Sequence, residues 1–230
     1  MEYIINGLAE ALGLIFSFDR EFLAIVWVSV KVAAMSITLA TLTGVPLGVL
    51  IAQKQFPGRN GVTTVINTLM SLPTVVVGLT VYSFLSRRGP LGDLGLLYTV
   101  TAMVIGQCIL AFPIVTGLTI SSVRGLDKRI QATITSLGAD PLQGFLMFLH
   151  EGRFGILAAV IAGFGRVFAE IGVSMMLGGN IKGYTRNITT AIALETSKGE
   201  FALGIALGLV LLMVAFGINI LLSFIQRKAQ

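Results

Sequence analysis

The chain is poor in the residues that build most catalytic and metal centres. Of its 230 residues one is cysteine, one is histidine, and 12% are charged. With Cys108 alone there is no intrachain disulfide, no cysteine-based zinc site and no iron–sulfur cluster. With His150 alone there is no histidine cluster for a metal, so no cofactor is expected. No Gly-x4-Gly-Lys-Ser/Thr pattern occurs, which excludes ATP binding by that route. No Lys or Arg precedes Arg20, which argues against a cleavable signal peptide. No internal repeat or linker divides the sequence, and residues 1–230 read as one domain.

What is present is apolar. Hydrophobic residues make up 55% of the chain and the mean hydropathy is +0.90, values that suit a polytopic membrane protein. The net charge of +5 is modest and suits loops facing anionic headgroups better than a nucleic-acid footprint. Five segments are long enough to cross a core of roughly 30 Å, which takes about 20 residues. They run near Ala24–Ala52, Val62–Ser86, Gly95–Ser121, Phe154–Gly179 and Phe201–Ile225. Their runs are continuous, not alternating, and backbone groups in lipid must be satisfied within the segment. The expected fold is therefore all-α, with about five transmembrane helices. Ahead of them, Ile5, Leu8, Leu12 and Ile15 share one face of a short interfacial helix.

An odd number of spans puts the two ends on opposite sides. With the N-terminus outside and the C-terminus cytoplasmic, Lys54, Arg59, Arg124, Lys128, Arg129, Arg153, Arg227 and Lys228 lie inside. Arg20, Arg87, Arg88, Lys182, Arg186 and Lys198 then lie outside, and the excess of basic residues inside favours this orientation. Pro46, Pro73 and Pro113 fall within spans. Each removes a helix hydrogen bond, leaving either an ordinary membrane-helix proline or a discontinuous helix lining a path.

Residues 122–153 form a polar loop between spans. Asp140-Pro141 is a strong helix start, since Asp caps free amides and Pro suits the first position. Gly138 and Ala139 before it allow a tight turn. Leu142, Phe145, Leu146 and Leu149 then recur at helical spacing. The helix has one apolar face on a wet loop, so that face meets either the parent bundle or another protein.

Gly138-Ala139, with Phe145 seven positions after the glycine, resembles the "EAA" loop of ATP-binding-cassette (ABC) importer permeases. The chain reads Ala132-Thr133-Ile134 where that family often has Glu-Ala-Ala, and His150-Glu151 where it often ends Leu-Pro. Leu72-Pro-Thr-Val-Val-Val-Gly78 and Ser86-Arg-Arg-Gly-Pro-Leu-Gly92 are similar to molybdate-type permeases, as is Phe168-Ala-Glu-Ile-Gly172. Gly178-Gly-Asn-Ile-Lys-Gly-Tyr-Thr-Arg186 and Leu194-Glu-Thr-Ser-Lys-Gly199 look most like the tungstate-type branch. The resemblance runs from Trp27 to about Leu222. It implies a type I ABC importer permease in the cell membrane, working as a homodimer. It also implies cytoplasmic ATPase subunits that receive the coupling helix, an extracytoplasmic anion-binding protein, and tungstate as the first choice of cargo. Molybdate, sulfate and phosphate remain open as cargo. A secondary carrier driven by an ion gradient is a further alternative.

Two groups of charges are candidates for handling an anion. Arg166 and Glu170, four residues apart, share a helix face at bilayer depth. They form either a structural pair or a polar patch beside the path. Arg87, Arg88, Lys182 and Arg186 lie on outer loops, where they can concentrate an oxyanion, contact a docked protein or meet headgroups. His150 beside Glu151 reads as a surface pair. No nucleophile–base constellation supports an enzyme.

Overall fold

The computed structural model describes residues 19–228 together with Gly13, and every regular element among them is helical. The expected N-terminal amphipathic helix lies outside the described residues. Helix α1, Arg20–Gln53, opens on Asp19, whose carboxylate accepts from the amides of Glu21 and Phe22 at 3.0 and 3.1 Å. Helices α2, Arg59–Leu69, and α3, Thr74–Leu85, meet at 96°. Helix α4, Val100–Arg124, follows a far-side loop; α5, Lys128–Ser136, and α6, Pro141–Glu151, fill the polar segment. The chain returns through α7, Arg153–Phe168, and α8, Gly172–Gly178. Helices α9, Ile188–Lys198, and α10, Phe201–Lys228, complete the order.

The expected spans are refined at three places. Val62–Ser86 is not one helix: Pro73 stands as N-cap of α3 and the chain turns sharply ahead of it. Pro46 and Pro113, in contrast, stay inside continuous helices. Phe154–Gly179 is broken at residues 169–171, between α7 and α8. Residues 188–198, expected in an outer loop, form α9. By length and apolarity α1, α4 and α10 can each cross a membrane, and the number is up to five if each bent pair, α2/α3 and α6/α7, counts as one span.

Helices α1 and α4 pack along each other at the centre, burying Ala33, Ala40 and Val49 against Ala111, Val115 and Ile120. Close approach depends on two glycines one turn apart. A methyl group on Gly44 would lie 2.8 Å from Thr116 Oγ1. One on Gly48 would lie 2.8 Å from Thr119 Cβ and 2.9 Å from the Thr116 carbonyl oxygen. Small residues let membrane helices approach this closely. Gly48→Ala is therefore expected to cost about 1–3 kcal/mol by overpacking. Thermal unfolding of the detergent-solubilised protein reads this as a lowered midpoint.

The bundle has two ends. The loop end carries residues 54–58 and 125–152, joined where Arg124 Nη2 donates to Thr63 Oγ1 at 3.1 Å. The far end carries residues 86–99 and 179–187, joined where the Tyr98 amide donates to the Leu177 carbonyl at 2.8 Å.

Candidate functional site

At the loop end the chain reverses on Gly138, whose φ of +67° lies in the left-handed region that glycine enters without strain. Asp140 then starts α6. Its Oδ1 accepts from the Gln143 amide at 2.7 Å, and Gln143 Oε1 accepts from the Asp140 amide at 3.0 Å. This reciprocal capping box, with Pro141 at the first helical position, holds an 11-residue helix on an otherwise polar loop.

The apolar residues of α6 divide between two directions. Gly144 and Phe148 are buried, and Phe145 and Leu149 pack half-buried against the main core. Leu142 and Leu146 point away and are 65% and 54% exposed, with Leu137 beside the turn at 78%. The helix is thus anchored by one face and presents another. Gly138 and Ala139 form the turn just ahead of this face, with Gly138 exposed and Ala139 half-buried. His150 lies 3.5 Å from Glu151, as a surface pair, and 2.7 Å from Arg153 Nη1.

In the middle of the bundle, Arg166 Nη1 donates to Glu170 Oε2 at 2.8 Å. The carboxylate side chain is 3% exposed and the guanidinium side chain 40%. Glu170 does more than pair. Its Oε1 accepts from the Val173 amide at 3.2 Å, capping the first turn of α8. Its carbonyl accepts from Thr189 Oγ1 in α9 at 2.7 Å. A methyl group on Gly172 would lie 3.0 Å from Thr74 Oγ1 and 3.3 Å from Glu170 Oε1, so the start of α3 abuts the same point. The first turns of α3, α8 and α9 therefore meet at residues 170–172, and the amide dipoles of α8 favour the negative charge of the carboxylate.

A buried polar chain extends from this point. Asn187 Oδ1 accepts from Thr189 Oγ1 at 3.0 Å, and Asn187 Nδ2 donates to Ser174 Oγ at 3.0 Å. Gln107 Nε2 donates to the same hydroxyl at 2.9 Å, and the Ile188 amide donates to Ser29 Oγ at 2.7 Å. These bonds tie α9 to α1, α4 and α8. Sequence reading singled out none of Gln107, Ser174, Asn187 and Thr189. Their signal, polar residues in or beside apolar segments, was available.

At the far end the four candidate cations separate into two pairs. Lys182 Nζ lies 2.6 Å from Glu21 Oε2, and Arg186 lies 3.5 Å from Glu21 and 3.9 Å from Glu195. Glu195 also takes Lys198 at 3.0 Å. Lys182 and Arg186 are thereby neutralised by carboxylates, and Arg186 is largely buried. Arg87 and Arg88 have no ion pair among the described residues. They line a cavity of about 610 Å³ with Tyr82, Ser86, Leu97 and Tyr98. A neighbouring open cavity of about 600 Å³ shares Tyr82 and Tyr98 and is also lined by Met175, Met176 and Gly179. Tyr98 sits at φ +63°, its ring directly beneath Gly179, and a methyl group there would lie 2.7 Å from the ring. Its phenol interacts with the Tyr82 hydroxyl, which, with partial burial, raises its pKa above the usual tyrosine value.

Residues 44–230 match the family described as binding-protein-dependent transport system inner membrane component. The chain is 41% identical over 228 residues to the tungstate uptake system permease protein TupB of Peptoclostridium acidaminophilum, covering 99% of this chain and 100% of that one. It is 42% identical over 227 residues to TupB of Campylobacter jejuni, covering 99% and 95%. Among solved structures, an inward-facing MetNI methionine ABC transporter aligns with a TM-score of 0.72 at 17% identity, covering 91% of this chain and 96% of that one.

Proposed function

The chain belongs to the family of binding-protein-dependent transport system inner membrane components, and on that premise we propose that it carries tungstate. It is the permease subunit of an ABC importer. Two copies form the path, ATPase subunits seat on the exposed face of α6, and an external binding protein delivers the anion at the far end. The N-terminus lies outside and the C-terminus in the cytoplasm. The observation that carries the mechanism is α6, a capped helix held by Phe148 while Leu142 and Leu146 stay exposed. A partner shifts a two-state bundle only through unequal contacts with the two states. Closure of the ATPase pair draws the two α6 helices together and opens the far end, and hydrolysis reverses it.

The anion enters past Arg87 and Arg88, whose unpaired guanidiniums raise its local concentration. Their forks and the Tyr82 and Tyr98 hydroxyls match the acceptors of a tetrahedral oxyanion. In the middle, Arg166 offers one further contact. Glu170 holds the same guanidinium, which keeps that contact from becoming a trap.

Proteoliposomes with permease and ATPase subunits are expected to accumulate tungstate only with ATP and loaded binding protein. Accumulation by the permease alone under an ion gradient would mark a secondary carrier and overturn the reading. In cells, excess tungstate should suppress labelled tungstate uptake more than molybdate or sulfate does. Replacing Arg87 and Arg88 together by Gln is expected to raise the uptake KM severalfold with little change in maximal rate. An unchanged KM would remove the arginines from the entry route.

A further inference from the structure

At the loop end, two arginines meet without a carboxylate. Arg59 donates from Nε to the Ile51 carbonyl and from Nη2 to the Ala52 carbonyl, closing the last turn of α1. Arg124, the last residue of α4, donates from Nη2 to Thr63, one turn beyond Arg59 on α2. That bond brings the Arg124 guanidinium onto α2 one helical turn from Arg59, so two like charges share this end of the helix. Neither has an ion pair among the described residues. Asp127, the nearest acid in sequence, faces Arg129 instead. The first turn of α2 has no side-chain cap, so its amide dipoles add to the positive field.

An apolar stripe leads away from this pair. Val62, Val65 and Leu69 follow Arg59 at helical spacing on α2 and are exposed, as is Phe56 just before it. The stripe runs about 10 Å along the helix from its charged head. A basic pair at the end of a spanning helix, continued by an apolar track, fits a molecule with a phosphate at one end and hydrocarbon at the other.

We propose that Arg59 and Arg124 bind the phosphate of an anionic phospholipid, whose acyl chains lie along Val62, Val65 and Leu69. Charge complementarity selects this occupant. Guanidinium forks match phosphate oxygens in pairs, and basic pockets between spanning helices hold anionic headgroups. The bound lipid relieves the repulsion between the arginines and braces the broken α2/α3 segment against α4.

The test uses the full chain purified with its ATPase subunits in detergent. Thermal midpoints are titrated with phosphatidylglycerol, with phosphatidylcholine of the same chains, and with inorganic phosphate. Phosphatidylglycerol is expected to stabilise at about tenfold lower concentration than phosphatidylcholine, the value of one charge-assisted hydrogen bond. Arg124→Gln should abolish that ratio and Arg124→Lys should keep part of it. The ratio is read within each variant, so lower starting stability leaves it interpretable. Equal potency of the two lipids on the unaltered protein would overturn the proposal, as would a preference that survives Arg124→Gln. Stabilisation by inorganic phosphate alone would assign a free-anion site instead. A Val65→Cys variant that forms a disulfide-linked dimer in the membrane would place a second copy on the stripe and equally overturn it.

Discussion

Replacing Leu142 and Leu146 together by aspartate is expected to abolish tungstate uptake while leaving the permease folded in the membrane. Both side chains are exposed, so neither change opens a cavity in the bundle. The anchoring face of Gly144 and Phe148 is untouched, and the Asp140–Gln143 capping box still starts the helix. On the proposed coupling role, what is lost is the contact with the ATPase subunits. Burying a leucine at an interface is worth about 1.5–3 kcal/mol, and two are removed. Each aspartate would also have to shed water in a closed interface. The sum weakens assembly by well over a hundredfold, since about 1.4 kcal/mol is tenfold. Co-purification with the ATPase and stimulation of ATP turnover by loaded binding protein should both vanish, with the permease's own thermal midpoint unchanged. Gly138→Asp is expected to act more mildly. The space beside Gly138 is open, and the cost is the left-handed backbone. Normal coupled uptake in the Leu142/Leu146 double variant would remove α6 from the coupling role.

The same helix shows how far the sequence could be read. Asp140-Pro141 announced its start, because a cap and a proline act within four residues. The splitting of its apolar face was not legible: Phe145 and Leu146 are neighbours of like character, and only the position of the bundle decides which is covered. Prolines gave mixed guidance for the same reason. Pro73 sits at a break where α3 turns into the site around Glu170, while Pro46 and Pro113 lie in helices braced by long neighbours. The break at residues 169–171 hid inside an apolar run, although Glu170 three places before Val173 has the spacing of an acidic cap. Helix α9 was hidden more deeply. Its anchors join Asn187 to Ser174 and Thr189 to Glu170, pairings that local periodicity does not encode. Lys182 and Arg186 looked like free cations because one of their partners, Glu21, lies about 160 residues earlier.

Glu170→Ala is expected to destabilise the bundle by about 3 kcal/mol, because it strands two groups at once. Arg166 loses its carboxylate and the Val173 amide loses its acceptor, both within the membrane. The value sits at the lower end for a broken ion pair because the Arg166 side chain is 40% exposed and keeps some solvation. For a chain of this length the thermal midpoint should fall by roughly 6–12 °C. Glu170→Gln retains an acceptor for the Val173 amide but leaves the guanidinium unneutralised, so it should lie between. Adding Arg166→Gln to Glu170→Gln removes the stranded charge, and most of the midpoint should return. The coupling between the two changes then measures the pair. Uptake separates the two roles open to that pair. If the guanidinium only fixes packing, recovery of stability brings recovery of transport. If it passes the oxyanion, the double variant is stable yet slow, with binding at the far end unaffected because Arg87 and Arg88 are unchanged. The exposure of Arg166 beside a sealed Glu170 favours the second outcome, and a double variant that regains both stability and full uptake would return the pair to a purely architectural role.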